Sequence, residues 1–268
     1  MMPMLATYYD HRSHQILPVM SNPRTQARQD HEQHRSQIGM EISMTADELE
    51  KRHIDTMGEP LGKQYTILYR EVSTLHLYWK EYLELFGTNQ KRIDRLNQSA
   101  PLFFSMLQNE LFQTNMLHIA RLTDSPKSAG KDNLTLQNLP GLVSDEGLKK
   151  TLTDLLAVVT DKTQFCRDWR NRLFAHHDLA LATGDTKATP LEVASREKVN
   201  SALQSLVDVM NAVERHYFKG GTSFRDIPAH NGAATLLHVL GDGLKQKDRR
   251  EKLIAEGKFD DLDLPEHV

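Results

Sequence analysis

Arg170 and Asn171, then four residues, then His176, are the side chains of this sequence best suited to work on a phosphodiester. A neutral imidazole can take the proton from a ribose 2′-OH. A guanidinium can bind the phosphate with its planar fork and stabilise the charge that develops there. An Asn amide can hold either group in place. Together the three could cleave RNA without a metal. Arg172 adds a second phosphate contact or a simply exposed cation. His177 and Asp178 could orient the site by hydrogen bonding, or cap a helix end. The plainer reading makes His176 a satisfied core histidine and Arg170 an inter-helix ion pair.

The spacing predicts one helix over Lys162–Leu181, with Asp161 as N-cap and no Gly or Pro before Gly184. Phe165, Trp169, Leu173 and Ala180 form its buried stripe. A regular helix places Arg170 and His176 about 120° apart and roughly 9 Å apart along the axis. Arg172 with His176, or Arg170 with His177, would share a face better. The trio therefore needs a distorted helix or a second copy of the chain.

Three stretches in order carry a family resemblance. They are Leu96-Asn97-x-x-Ala100-Pro101-x-Phe103-Phe104, Arg121-Leu122-Thr123-Asp124, and Trp169-Arg170-Asn171-Arg172-x-x-Ala175-His176-x-Asp178. Over roughly residues 61–218 the chain resembles the HEPN superfamily, in its abortive-infection AbiU-type branch. The resemblance implies a helical bundle that dimerises. It implies a metal-independent endoribonuclease of a toxin–antitoxin or phage-defence system, with no cofactor. Its partners would be RNA, a second copy and an antitoxin protein. Pairing two motif helices across a two-fold axis would supply what one helix cannot. On this reading His176 is the general base, Arg170 stabilises the phosphorane and Asn171 positions them. Arg121 would reach the cleft, against the alternative of an ion pair with Asp124. The competing function class is a catalytically silent helical module that binds a nucleotide or a protein partner in the same cleft.

At 268 residues the chain can bury a sizeable core, and its net charge of −3 creates no global basic field. Any RNA site must rest on a local patch. The single Cys166 excludes an internal disulfide and a multi-cysteine zinc site, and suits a reducing cytoplasm. No carboxylate or Cys scaffold fixes the scattered histidines at 11, 14, 31 and 34, so no metal site is expected. The longest aliphatic run, Leu155–Val159, is too short for a bilayer, and residues 1–20 lack the pattern of a signal peptide. No Gly-x-Ser-x-Gly elbow or His-Glu-x-x-His helix is present.

The expected architecture is all-α. Residues 1–42 read as a disordered polar tail, 43–220 as a HEPN-like helical domain, and 221–268 as a C-terminal helical extension and tail. Thr45-Ala46-Asp47-Glu48 opens a helix as a capping box. A long helix runs from Leu61 to Phe86, its buried stripe being Tyr65, Leu68, Val72, Leu75, Trp79, Tyr82 and Phe86. Asn89 caps a helix that breaks at Pro101, and another runs from there to about Leu122. Residues 125–133 read as a loop. Thr135 and Ser144 are the expected caps of two shorter helices. Thr189-Pro190-Leu191-Glu192 reads as the start of a helix to Phe218. A last helix over 232–255 is expected to be interrupted at Gly241-Asp242-Gly243.

Overall fold

A computed structural model describes residues 44–87, 89–176, 178–226 and 231–261. The expected tail 1–42, His177, and the end of the chain from 262 lie outside the described residues.

The chain is all-α, with one two-residue antiparallel hairpin among the described residues. The helices are α1 (Ala46–Met57), α2 (Glu59–Phe86), α3 (Gln90–Ser99), α4 (Pro101–Leu122), α5 (Leu139–Leu142) and α6 (Glu146–Lys162). They continue as α7 (Gln164–Trp169), α8 (Leu179–Thr183), α9 (Arg196–Phe218) and α10 (Ala233–Ala255). Two compact units divide them. One holds residues 44–80 and 110–226, the other 81–109 and 231–261.

In the first unit α2 is the organising helix. Leu61, Tyr65, Leu68, Val72 and Leu75 recur at threes and fours, and all are buried. Val199, Leu203, Leu206, Met210 and Val213 form the buried face of α9. The Tyr65 hydroxyl donates to Glu214 Oε2 at 2.7 Å, and the Trp79 indole N–H donates to Asn200 Oδ1 at 2.8 Å. These bonds give the polar ends of two aromatic side chains the partners that burial demands. Leu152, Leu156 and Val159 of α6 complete the apolar layer against α9.

The capping box at Thr45 and Glu48 forms and starts α1. α1 then turns at Gly58 and lies against α2 closely, because Gly62 has no side chain. A Cβ there would stand 2.6 Å from the Ile54 backbone. His53 is buried in this crossing among Tyr65, Tyr69 and Phe218. Thr66 gives its only hydroxyl proton to the Gly62 carbonyl at 2.7 Å, so His53 Nδ1 must be the donor to Thr66 at 2.8 Å.

Burial, with the nearby charges of Arg52 and Arg70, pulls His53 down from 6.5 to about 4. Burial, with Arg225 nearby, does the same to His76. Unfolded imidazoles bind protons first as pH falls, so the stability these two confer is complete above about pH 6.5 and is lost between there and about pH 4. Urea midpoints measured at pH 7 and pH 5 should show this drop, and His53→Gln combined with His76→Gln should flatten it. An equal slope in wild type and double variant would contradict the assignment.

The second unit is built on the last turns of α2, on α3, on the start of α4 and on α10. Tyr82, Leu85, Phe86, Ile93, Leu96 and Phe104 are among its buried residues, with Ala233 and Leu237 from α10. The expected interruption at Gly241-Asp242-Gly243 does not occur, and α10 is continuous through it. The bare face of Gly241 receives the Arg95 guanidinium, which donates to the Leu237 carbonyl at 2.7 Å. The glycine serves close approach here rather than a turn.

Four further expectations are corrected. Asp145, not Ser144, caps α6, by accepting from Leu148 N at 2.7 Å. Residues 125–133 are not a plain loop. Lys127–Ser128 pairs with Lys131–Asp132 around Ala129 and Gly130, both at positive φ. That is the backbone a two-residue hairpin turn requires. The helix expected from Pro190 starts instead at Arg196, capped by Ser195. The single helix over Lys162–Leu181 is broken into three parts, and that break makes the site.

Candidate active site

Thr163 separates α6 from α7, and the Asp161 cap is not used. Phe165, Cys166 and Trp169 are buried, and Trp169 is the anchor. Its ring meets Phe112 edge-on at 5.4 Å and lies tilted on Phe174 at 5.8 Å. Its N–H donates to the Glu192 carbonyl at 2.8 Å.

Immediately after this anchor the chain widens into a π-helical turn over Arg170–Phe174. The Arg170 carbonyl accepts from Ala175 N at 2.8 Å, an i→i+5 bond. Residues 175, 176 and 178 lie outside helix, and α8 follows, closing on Gly184 in the left-handed region. The motif therefore sits on the distortion that a regular helix would have needed.

Arg170 is three-quarters buried and is held from two sides. One guanidinium nitrogen pairs with the Asp124 carboxylate, and Nε donates to Asn171 Oδ1 at 3.0 Å. Asp124 lies just past the end of α4. It also lines an open cleft of about 360 Å³, whose walls include Arg121, Glu71 and Ile67. Arg121 does not pair with Asp124 as the alternative had it. It pairs with Glu71, which also takes a 2.8 Å hydrogen bond from the buried His118. Burial first, then the Arg121 charge, lowers the pKa of His118 against the opposing pull of Glu71.

His176 is exposed, and its ring makes no hydrogen bond to any described residue. Asn171 is exposed beside Arg170. One chain thus brings Arg170, Asn171 and Asp124 together, while no described residue hydrogen-bonds the His176 imidazole. Among the described residues no group of three or more His, Cys, Asp or Glu converges as a metal site. No described helix is long and apolar enough to cross a membrane.

A family model described as AbiU2, of the HEPN type, matches residues 58–236, more than half of the chain. The chain belongs to the AbiU2 family of HEPN domains. No curated protein and no solved structure matches it.

In this AbiU2 chain the second motif arginine is structural in its contacts. Arg172 donates through Nε to Asp178 at 3.1 Å and through Nη2 to the Thr189 carbonyl at 2.7 Å. Asp178 caps α8, accepting from Ala180 and Leu181 at 3.0 and 3.1 Å. The Leu181 N–H first, then Arg172, holds its carboxyl below the usual range. Phe174 is part-buried on Trp169, while Ala175 is exposed. Asp124, Glu71 and His118 were not among the sequence-derived site residues. Only the hydrophobic face of α4 placed Asp124 near a helix end. Nothing local linked it to an arginine 46 positions later.

Proposed function

We propose that this AbiU2-family protein is a metal-independent endoribonuclease acting in phage defence or as a toxin. The carrying observation is an arginine fixed by Asp124 and Asn171 on the π turn, followed just past that turn by an exposed imidazole that no described residue hydrogen-bonds. His176 takes the proton of a ribose 2′-OH. The oxygen attacks the adjacent phosphorus, the 5′-oxygen leaves, and the products are a 2′,3′-cyclic phosphate and a 5′-hydroxyl. Arg170 faces the phosphorane with the part of its guanidinium that Asp124 and Asn171 do not use. The nucleophile belongs to the substrate, so no metal-bound water is needed.

The working form is a two-fold dimer in the cytoplasm, in which the motif turns of two copies face one RNA. An antitoxin protein is the partner that would hold it silent. The catalytically silent module keeps one supporting observation, since Arg170 and Arg172 are both ion-paired within the chain.

Expression in a bacterial host distinguishes the two readings. Wild type should arrest growth and His176→Ala should not. Co-expressing Arg170→Ala with His176→Ala should restore part of the arrest, because a mixed dimer rebuilds one composite site. A harmless, folded wild type supports the silent module, and arrest without restoration removes the composite site.

A further inference from the structure

We infer that the cleft beside Arg170 reads a guanine base of the RNA through Asp132; this rests on the ribonuclease reading. The cleft and Arg170 share Asp124, a residue that lines the cleft and whose carboxylate holds the guanidinium. A base seated there belongs to a nucleotide next to the scissile phosphate. The volume of about 360 Å³ suits one nucleoside. Ile67 and Leu134 give apolar wall for a base face.

The charges in the cleft decide which base. Of its carboxylates, Glu71 is taken by Arg121 and His118, and Asp124 by Arg170. Asp132, at the end of the hairpin, makes no hydrogen bond or ion pair through its side chain with any described residue. A free carboxylate repels a phosphate and accepts hydrogen bonds through both oxygens. Guanine alone among the RNA bases offers two adjacent donors, N1–H and the exocyclic N2–H. Adenine and cytosine place a ring lone pair beside their amino group. Uracil flanks its single N–H with two carbonyls. A paired contact of this kind discriminates by about 10- to 100-fold.

The test uses the full-length chain and a pool of random single-stranded RNA. Wild type should cut with guanine enriched about 10- to 100-fold at one fixed position beside the break. Asp132→Asn should lose that enrichment. Inosine, which lacks the exocyclic amino group, should not replace guanine. Cutting without guanine enrichment, or enrichment that survives Asp132→Asn, overturns the inference.

Calorimetric titration with guanosine 3′-monophosphate and adenosine 3′-monophosphate separates this from the nuclease reading. If wild type cuts nothing but binds the guanosine nucleotide selectively through Asp132, the cleft assignment stands and the nuclease reading falls. If there is neither cutting nor binding, the cleft assignment falls. N-acetylargininamide also presents paired N–H donors. Binding of that compound in place of the guanosine nucleotide would assign the cleft to a protein partner and overturn the inference.

Discussion

His176→Ala should lower RNA cleavage by about 10²–10⁴-fold, the usual contribution of a general base, while the melting temperature stays that of wild type. The second half of this expectation follows from the surroundings of the ring. It is exposed, and no described residue hydrogen-bonds to it, so truncation leaves no cavity and no orphaned partner. Arg170→Lys should be nearly as damaging, by about 10²–10³-fold, the range for loss of a charge-stabilising donor. An ammonium cannot meet Asp124 and Asn171 at once and still offer a flat donor edge to the phosphorane. Matched single-turnover cleavage rates and thermal melts of the two variants check this. A large fall in melting temperature for His176→Ala with cleavage intact would make His176 a structural residue.

Trp169→Ala should have the largest effect on folding. The ring is buried between Phe112 and Phe174, and its N–H holds the non-helical segment at Glu192. Truncating a buried Trp costs about 3–5 kcal/mol, a large share of an ordinary stability. For a chain of this size that amounts to a fall of about 10 °C in melting temperature. Trp169→Phe keeps most of the packing and loses the hydrogen bond, so its cost should be about 1 kcal/mol plus a modest volume term. Urea unfolding of the two variants separates the contributions. An Ala variant as stable as wild type would remove Trp169 as the anchor of the motif turn.

The architecture was legible wherever one helix face carried enough apolar side chains to state its period. Tyr65 to Phe86 did so, and every residue of that stripe is buried. Pro101 marked a boundary because a proline cannot continue the preceding helix. The π turn was not legible, since Phe165, Trp169, Leu173 and Ala180 fit a regular helix on paper. In the fold Phe165 and Trp169 are buried, while Leu173 and Ala180 are only part-buried.

Thr189-Pro190-Leu191-Glu192 failed as a helix start for a tertiary reason. The Thr189 and Glu192 carbonyls accept from Arg172 and Trp169, which keeps that backbone out of helix until Ser195 caps α9. The same kind of long-range contact hid Asp124. Its helix-end position suggested a partner three residues back, and the fold gave Arg121 to Glu71 and Asp124 to Arg170. The residue types of the motif were readable because chemistry restricts them. Their positioning partners were not, because any carboxylate brought close by the fold would serve.

The most direct measurement is incubation of the purified full-length chain with total RNA in excess EDTA, wild type beside Arg170→Ala, with the product ends analysed. The expected result is cleavage by wild type alone, leaving 2′,3′-cyclic phosphate and 5′-hydroxyl ends, and no cut where the scissile ribose is replaced by deoxyribose. Intact RNA with wild type, cleavage that EDTA abolishes, or equal cleavage by Arg170→Ala would contradict the assignment of this motif as a ribonuclease centre.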